Sequence, residues 1–362
     1  MTKEKITANQ FFLLLYLSLL NTVFMYLSSQ SIKISQTDAI LRPLIFVAIS
    51  FVVFIPTFLI LKRHINLREN RQYIKESLFL KIIAVIYAVV YFVSILKTVA
   101  RFDLFVSIEL FPNADMTIFI VLIVGVCAVL SFLGIGALGR AATVFTFLVV
   151  ASTIVVMASL TDEVDFLNFT PLLENGIVEF SKECLLFACQ VTEIGAIVML
   201  MPEIKGDIKK SFKWWSVLSG ISVSVIFFFV IGVLGSFADT QLFPTYTTVT
   251  LASFGLLERI DALETAIWIF CVVEKLAFFF FVVIRALKYS FKKISEKMIA
   301  VAVTGVVSII MSIVSYDITK FGFLSSDILA VVLFIIVTII LPVCLYVYMK
   351  RVKPVEKYQE NI

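Results

Sequence analysis

The sequence has a single histidine, His64, and none of its five cysteines forms a C-x-x-C pair. A zinc site or a disulfide framework is therefore not expected. No nucleophile–base set for catalysis can be assembled around one histidine in a basic stretch, so an enzyme is disfavoured. Charge is scarce: 15% of the residues are Asp, Glu, Lys or Arg, against about 25% in a soluble domain. No stretch is polar enough, for long enough, to form a water-soluble domain, and no P-loop is present. Gly134–Gly139 formally reads G-x-G-x-x-G, but it lies at a short turn with no strand before it. Small residues that let helices approach closely explain it better than a dinucleotide. No cofactor, metal or nucleic acid is expected.

Apolar residues fill the gap, at 61% of 362 residues. A helix needs about 20 apolar residues to cross the hydrocarbon core. Ten segments qualify: 9–30, 40–61, 78–107, 116–134, 141–160, 184–202, 214–237, 264–286, 298–315 and 326–349. Each must be a helix, because an isolated strand leaves its backbone unpaired in lipid. Lys3 and Lys5 precede the run Phe11–Leu20 as in a signal peptide, yet no small-residue cleavage site follows, which reads as a retained first span. With the N-terminus inside, 21 of the 30 Lys and Arg residues fall in inner segments. That asymmetry and the even span count place both termini in the cytoplasm. The outer loops 161–183 and 238–263 are long, and the second has the character of a short amphipathic helix pair over the mouth. The expectation is one transmembrane domain over residues 1–362, in an all-α integral membrane protein.

Several stretches resemble the B subunit of spore germinant receptors, the GerAB-type spore germination proteins. Asn168-Phe-Thr-Pro-Leu-Leu-Glu-Asn-Gly176 is similar to the family's outer loop before span 6. That span then carries Glu193 and ends Met199-Leu-Met-Pro-Glu203. Leu256-Leu-Glu-Arg-Ile-Asp-Ala-Leu263 running into Trp268 is the most specific match. Tyr91-Phe92 followed by Arg101, and Leu242-Phe-Pro244, also fit. The resemblance implies the fold of the amino acid–polyamine–organocation superfamily: ten transmembrane helices in a five-plus-five inverted repeat, with helices 1 and 6 broken near the midplane. It further implies a cell-membrane protein of the spore inner membrane, which senses a small nutrient alongside an A subunit and a lipoprotein C subunit. One departure stands out. The family's first span has a glycine where the helix unwinds, and Ser18-Leu-Leu-Asn-Thr-Val-Phe24 has none.

Ionisable residues within a membrane are costly, so they are usually functional or paired. Glu193, with Gln190 and Thr192 beside it, reads either as a site for a ligand amine or proton, or as a carboxyl held neutral by a neighbouring helix. Lys97 and Arg101 share a face one turn apart. Arg101 and Asp103 lie near enough to the outer end to snorkel. In the resembled fold span 3 packs near span 8, which suggests an intramembrane network of Lys97 paired with Glu274, and Lys275 facing another acid or a cavity. Asn21 and Thr22 lie at mid-depth in span 1, where a broken helix would bind a ligand. Tyr91 matches a family position facing the cavity, although an aromatic there equally serves packing. Glu258, Arg259 and Asp261 form an outer-loop charge cluster, as a loop-fixing salt bridge or as a gate. The candidate ligand-binding residues are thus Asn21, Thr22, Tyr91, Gln190 and Glu193. Two functions share this fold: a nutrient-sensing receptor subunit and a secondary amino acid permease.

Overall fold

The computed structural model describes residues 5–26, 37–69, 72–74, 76–112, 116–171, 176–252, 260–315, 322–353 and 355–356. The Lys- and Arg-rich helix ends are called inner and the opposite ends outer. Helices account for nearly all of the described chain: α1 (Ala8–Tyr26), α2 (Arg42–Val53), α3 (Ile55–Glu69), α4 (Leu78–Phe105), α5 (Met116–Ser131), α6 (Ile135–Ser159), α7 (Gly176–Cys189), α8 (Ala196–Leu200), α9 (Ile208–Leu234), α10 (Pro244–Thr250), α11 (Ile260–Ser290), α12 (Glu296–Ser315), α13 (Asp327–Ile335) and α14 (Leu341–Arg351). Seven helical stretches are long and apolar enough to cross a membrane, and two bent pairs bring the number to nine among the described residues. The shorter apolar α5 stands where the fourth span is expected. The outward faces are apolar: Phe147, Val301 and Ile328 are 73%, 72% and 79% exposed. Such a surface suits hydrocarbon rather than water. The chain is a multi-pass membrane protein.

The first span departs from expectation. α1 is helical without interruption from Ala8 to Tyr26, so the break implied for helix 1 is absent. With no glycine in the stretch, the chain keeps its helical hydrogen bonds. The sixth span is broken as implied: α7 and the segment Thr192–Glu203 meet at 51°. An unanticipated bend of 46° separates α2 from α3. Pro56, second in α3, has no N–H to offer the Val52 carbonyl, which explains the kink. The last span is helical throughout but widens into a π turn at Ile336–Ile340. Boundaries also move. The sixth span starts at Gly176 rather than 184, and α6 starts at Ile135 rather than 141. In the loop 238–263, α10 lies between the end of a 3₁₀ turn at Gly235–Thr240 and the start of α11 at Ile260.

α11 is the central pillar and packs along α1, α4, α5 and α6. Val272, Leu276, Ala277, Phe278 and Val282 on it are fully buried, as in a helix enclosed on all sides. Aromatic rings fill much of the interior. Phe54 stacks on Phe212 at 4.1 Å, and Phe51 and Phe58 meet Phe212 edge-on. Near the inner end, β1 (Ile6–Thr7) pairs in parallel with β2 (Ile204–Lys205) and ties the start of α1 to the end of the sixth span. A Cβ on Gly139 would lie 2.4 Å from Ile6 Cδ1, so the glycine-rich turn serves close approach. Asn168 Nδ2 donates to the Gly232 carbonyl at 2.9 Å, which fixes the outer loop to the end of α9.

Close helix contact generates a test. A Cβ on Gly220 of α9 would sit 2.5 Å from Val47 Cγ2 and 3.1 Å from the Pro43 carbonyl oxygen. Gly305 of α12 has nothing within 4 Å. Gly220→Val is expected to destabilise the protein by about 1–3 kcal/mol, whereas Gly305→Val changes stability little. Thermal unfolding in detergent, followed by size-exclusion fluorescence, compares the two; equal losses would contradict this packing.

Candidate functional site at the break in the sixth span

The break begins where α7 runs out of helical partners. Gln190 N–H and Val191 N–H donate to carbonyls only three residues back, Phe187 and Ala188, at 3.2 and 3.1 Å. Val191 then leaves helical geometry, at φ −95° and ψ 68°. Thr192–Gly195 form a tight 3₁₀ turn before α8. Tyr91 of α4 donates its hydroxyl to the Thr192 carbonyl at 3.0 Å and so holds the turn in place. From the other side the π turn of the last span presses in. A Cβ on Gly195 would meet Val337 Cγ2 at 2.5 Å and the Val337 carbonyl oxygen at 3.0 Å. Tyr87, one turn before Tyr91, donates to that same Val337 carbonyl at 3.4 Å.

The turn carries Glu193 into the centre of the bundle with no solvent exposure. Its Oε1 lies 3.6 Å from Lys275 Nζ of α11 and accepts from Thr22 Oγ1 of α1 at 3.4 Å. Lys275 Nζ also donates to Thr22 Oγ1 at 2.5 Å and to the Ser18 carbonyl at 3.1 Å. The ammonium lies over the Phe279 ring, 5.4 Å from its centre, a further electrostatic gain in a dry site. Three elements thus converge on one ion pair. Several buried polar atoms around it have no hydrogen-bond partner: Glu193 Oε2, Ser18 Oγ and both Asn21 side-chain atoms, Oδ1 and Nδ2. Buried polar groups are nearly always satisfied, so a cluster of exceptions marks room for a ligand or water.

Beside this node is a chamber of about 260 Å³. α4 contributes Ser94, Lys97 and Thr98; the break contributes Gln190 and Thr192; Lys275 and Phe279 of α11 and Leu333 of α13 close it. Two ammonium groups therefore border one small polar space. Gln190 Nε2 donates across to Asp327 Oδ1 at 3.4 Å. The arrangement offers cationic donors for a carboxylate, and free carboxylate and amide oxygens at the neighbouring node for an amine.

Asn21, Thr22, Tyr91, Gln190 and Glu193, separated in sequence, lie together at the node and chamber. Lys97 and Lys275 line the chamber, but Glu274 does not join them. It points to α5, beside Cys127, and its Oε1 has no hydrogen-bond partner. The expected Lys97–Glu274 pair is therefore replaced by Lys275–Glu193. Adjacent residues on a helix point about 100° apart, so Glu274 and Lys275 cannot share a face. Arg101 is 4% exposed and does not snorkel; Asp103 Oδ2 accepts from Ser315 Oγ of α12 at 2.8 Å. Glu258 and Arg259 of the expected gate, and the side chain of Asp261, lie outside the described residues.

Two arginine-centred ionic clusters were not anticipated. Arg42, fully buried at the start of α2, pairs with Glu183 of α7 and lies 3.6 Å from Asp38. Arg285 near the inner end of α11 pairs with Glu203 and lies 3.5 Å from Glu296. Arg42 immediately before Pro43 was the one available signal, because a charge at a helix start inside an apolar run needs a partner.

A double-mutant cycle tests the central pair. Lys275→Met and Glu193→Gln each leave the other group without its partner, while the double variant removes both charges. The two losses of stability are expected to be non-additive by about 0.5–3 kcal/mol, read from detergent unfolding curves; additive losses would show that the pair carries no coupling.

The order of motifs, the broken sixth span and the buried charges together invite comparison with known families. The family model described as spore germination protein matches residues 5–319. No match was found among curated proteins. With all but the last span inside that match, the chain belongs to the spore germination protein family.

Proposed function

We propose that this protein is the membrane-embedded B subunit of a spore germinant receptor, which binds a small nutrient near the bilayer midplane and signals germination. The broken sixth span carries the reading: it sets Glu193 against Lys275 beside a chamber that Lys97 also borders. An amino acid has the matching charges. Its carboxylate suits the two ammonium groups, and its amine suits the free Glu193 Oε2 and Asn21 Oδ1. Family membership supports the same reading. The partners in it are the receptor's A and C subunits, the nutrient and the lipid bilayer.

The architecture under this proposal is ten spans in a five-plus-five inverted repeat. They are the seven long helices, the bent pairs α2–α3 and α7–α8, and the shorter α5. The positive-inside asymmetry supports a cytoplasmic position for both termini, and family membership supports the spore inner membrane.

Glu193→Gln tests the site. Loss of one charge-assisted hydrogen bond is expected to shift the nutrient dose–response of germination by about tenfold or more, with the protein still inserted in the membrane. An unchanged dose–response in spores carrying the inserted variant would remove Glu193 from the site. Uptake of labelled amino acids by proteoliposomes of the isolated chain would instead favour a secondary permease.

A further inference from the structure

A second space, open on one side, lies outward of the chamber between α1, α4, α10 and α11. Its walls are rings: Phe24 of α1, Phe105 of α4, Tyr246 of α10 and Trp268 of α11. The rings touch one another. Trp268 and Phe105 are 4.5 Å apart between centres, Phe105 and Tyr246 5.1 Å, and Trp268 and Phe24 6.3 Å. One turn beyond Trp268, Glu264 places its carboxyl in the same wall. Glu264 is 5% exposed, and its Oε2 has no hydrogen-bond partner. The Ser152 and Thr153 hydroxyls of α6 stand beside the carboxyl, and among the described residues no cation is paired with it.

This combination selects the charge of an occupant. Aromatic faces present negative potential, and they attract an ammonium group but not an anion. A carboxylate set among them without a counter-charge is costly to bury, and a bound cation supplies that counter-charge. Trp268 precedes Lys275 by two turns of α11, roughly 10 Å along the axis, which separates this space from the chamber.

We propose that the outer space is a binding site for a small organic cation, its ammonium group facing Glu264 and enclosed by the rings of Phe24, Phe105, Tyr246 and Trp268. The assignment does not depend on the nutrient reading of the chamber.

The experiment titrates the full-length protein in detergent with tetramethylammonium chloride at constant ionic strength, and follows heat by calorimetry. tert-Butanol, similar in size but uncharged, is the control. Saturable binding of tetramethylammonium is expected, with no response to tert-butanol. Glu264→Gln, nearly identical in shape, is expected to weaken binding by about tenfold, as is Trp268→Leu. Unchanged elution and unfolding temperature of Glu264→Gln would show that the loss is not unfolding. Gly305→Val, far from the space on α12 with nothing within 4 Å of its added carbon, is expected to bind as the unaltered protein does. No saturable binding, equal responses to the two compounds, or undiminished binding by folded Glu264→Gln would each overturn the proposal.

Discussion

Lys275 brings an ammonium group to the middle of an apolar bundle, where no bulk water compensates it. Moving that charge out of water costs several kcal/mol even after the protein relaxes. The surrounding structure is organised around meeting that cost. Glu193 supplies the opposite charge, Thr22 and the Ser18 carbonyl supply oxygens, and Phe279 supplies a ring face. These groups come from α1, the 3₁₀ turn and α11, so the ion pair also sets where three spans stand relative to one another. The turn itself is needed because a continuous sixth helix would spend its backbone on itself. Opening the chain at Gln190–Val191 frees the Thr192 carbonyl, and Tyr91 takes it up.

The close contacts around the turn follow from the same requirement. Gly195 lets the last span come within van der Waals distance, and the π turn in that span frees the Val337 carbonyl for Tyr87. π turns inside membrane helices recur at functional sites. Here the two irregular segments meet each other. Each departs from regular helix geometry, and the tyrosines of one regular helix, α4, satisfy a carbonyl of each.

The positions of the spans were legible in the sequence because hydropathy integrates over some twenty residues and tolerates local errors. Their ends were less so, since α6 and α7 begin several residues early, in stretches whose composition is mixed. The break in the sixth span was legible through family resemblance alone; nothing in Gln190-Val-Thr-Glu193 signals it by composition. The unbroken first helix was foreshadowed by the missing glycine in Ser18–Phe24, and Pro56 carried the signal for the bend between α2 and α3. Charge pairing was the least legible feature. Hydropathy flags Lys97, Glu193, Glu274 and Lys275 alike, and only the rotation of each helix decides which of them meet. The same limit hid Arg42–Glu183, whose members lie 141 positions apart in the sequence.

The two arms of the sixth span are tied to different bodies. The outer arm, α7, is held to α2 through Glu183 and Arg42, and the inner arm to the end of α11 through Glu203 and Arg285. Between them runs a joint of two residues without regular helical hydrogen bonds. A small shift of Glu193 therefore cannot be absorbed along one rod. It falls on a joint whose two sides are anchored separately, one by Arg42 and the other by Arg285.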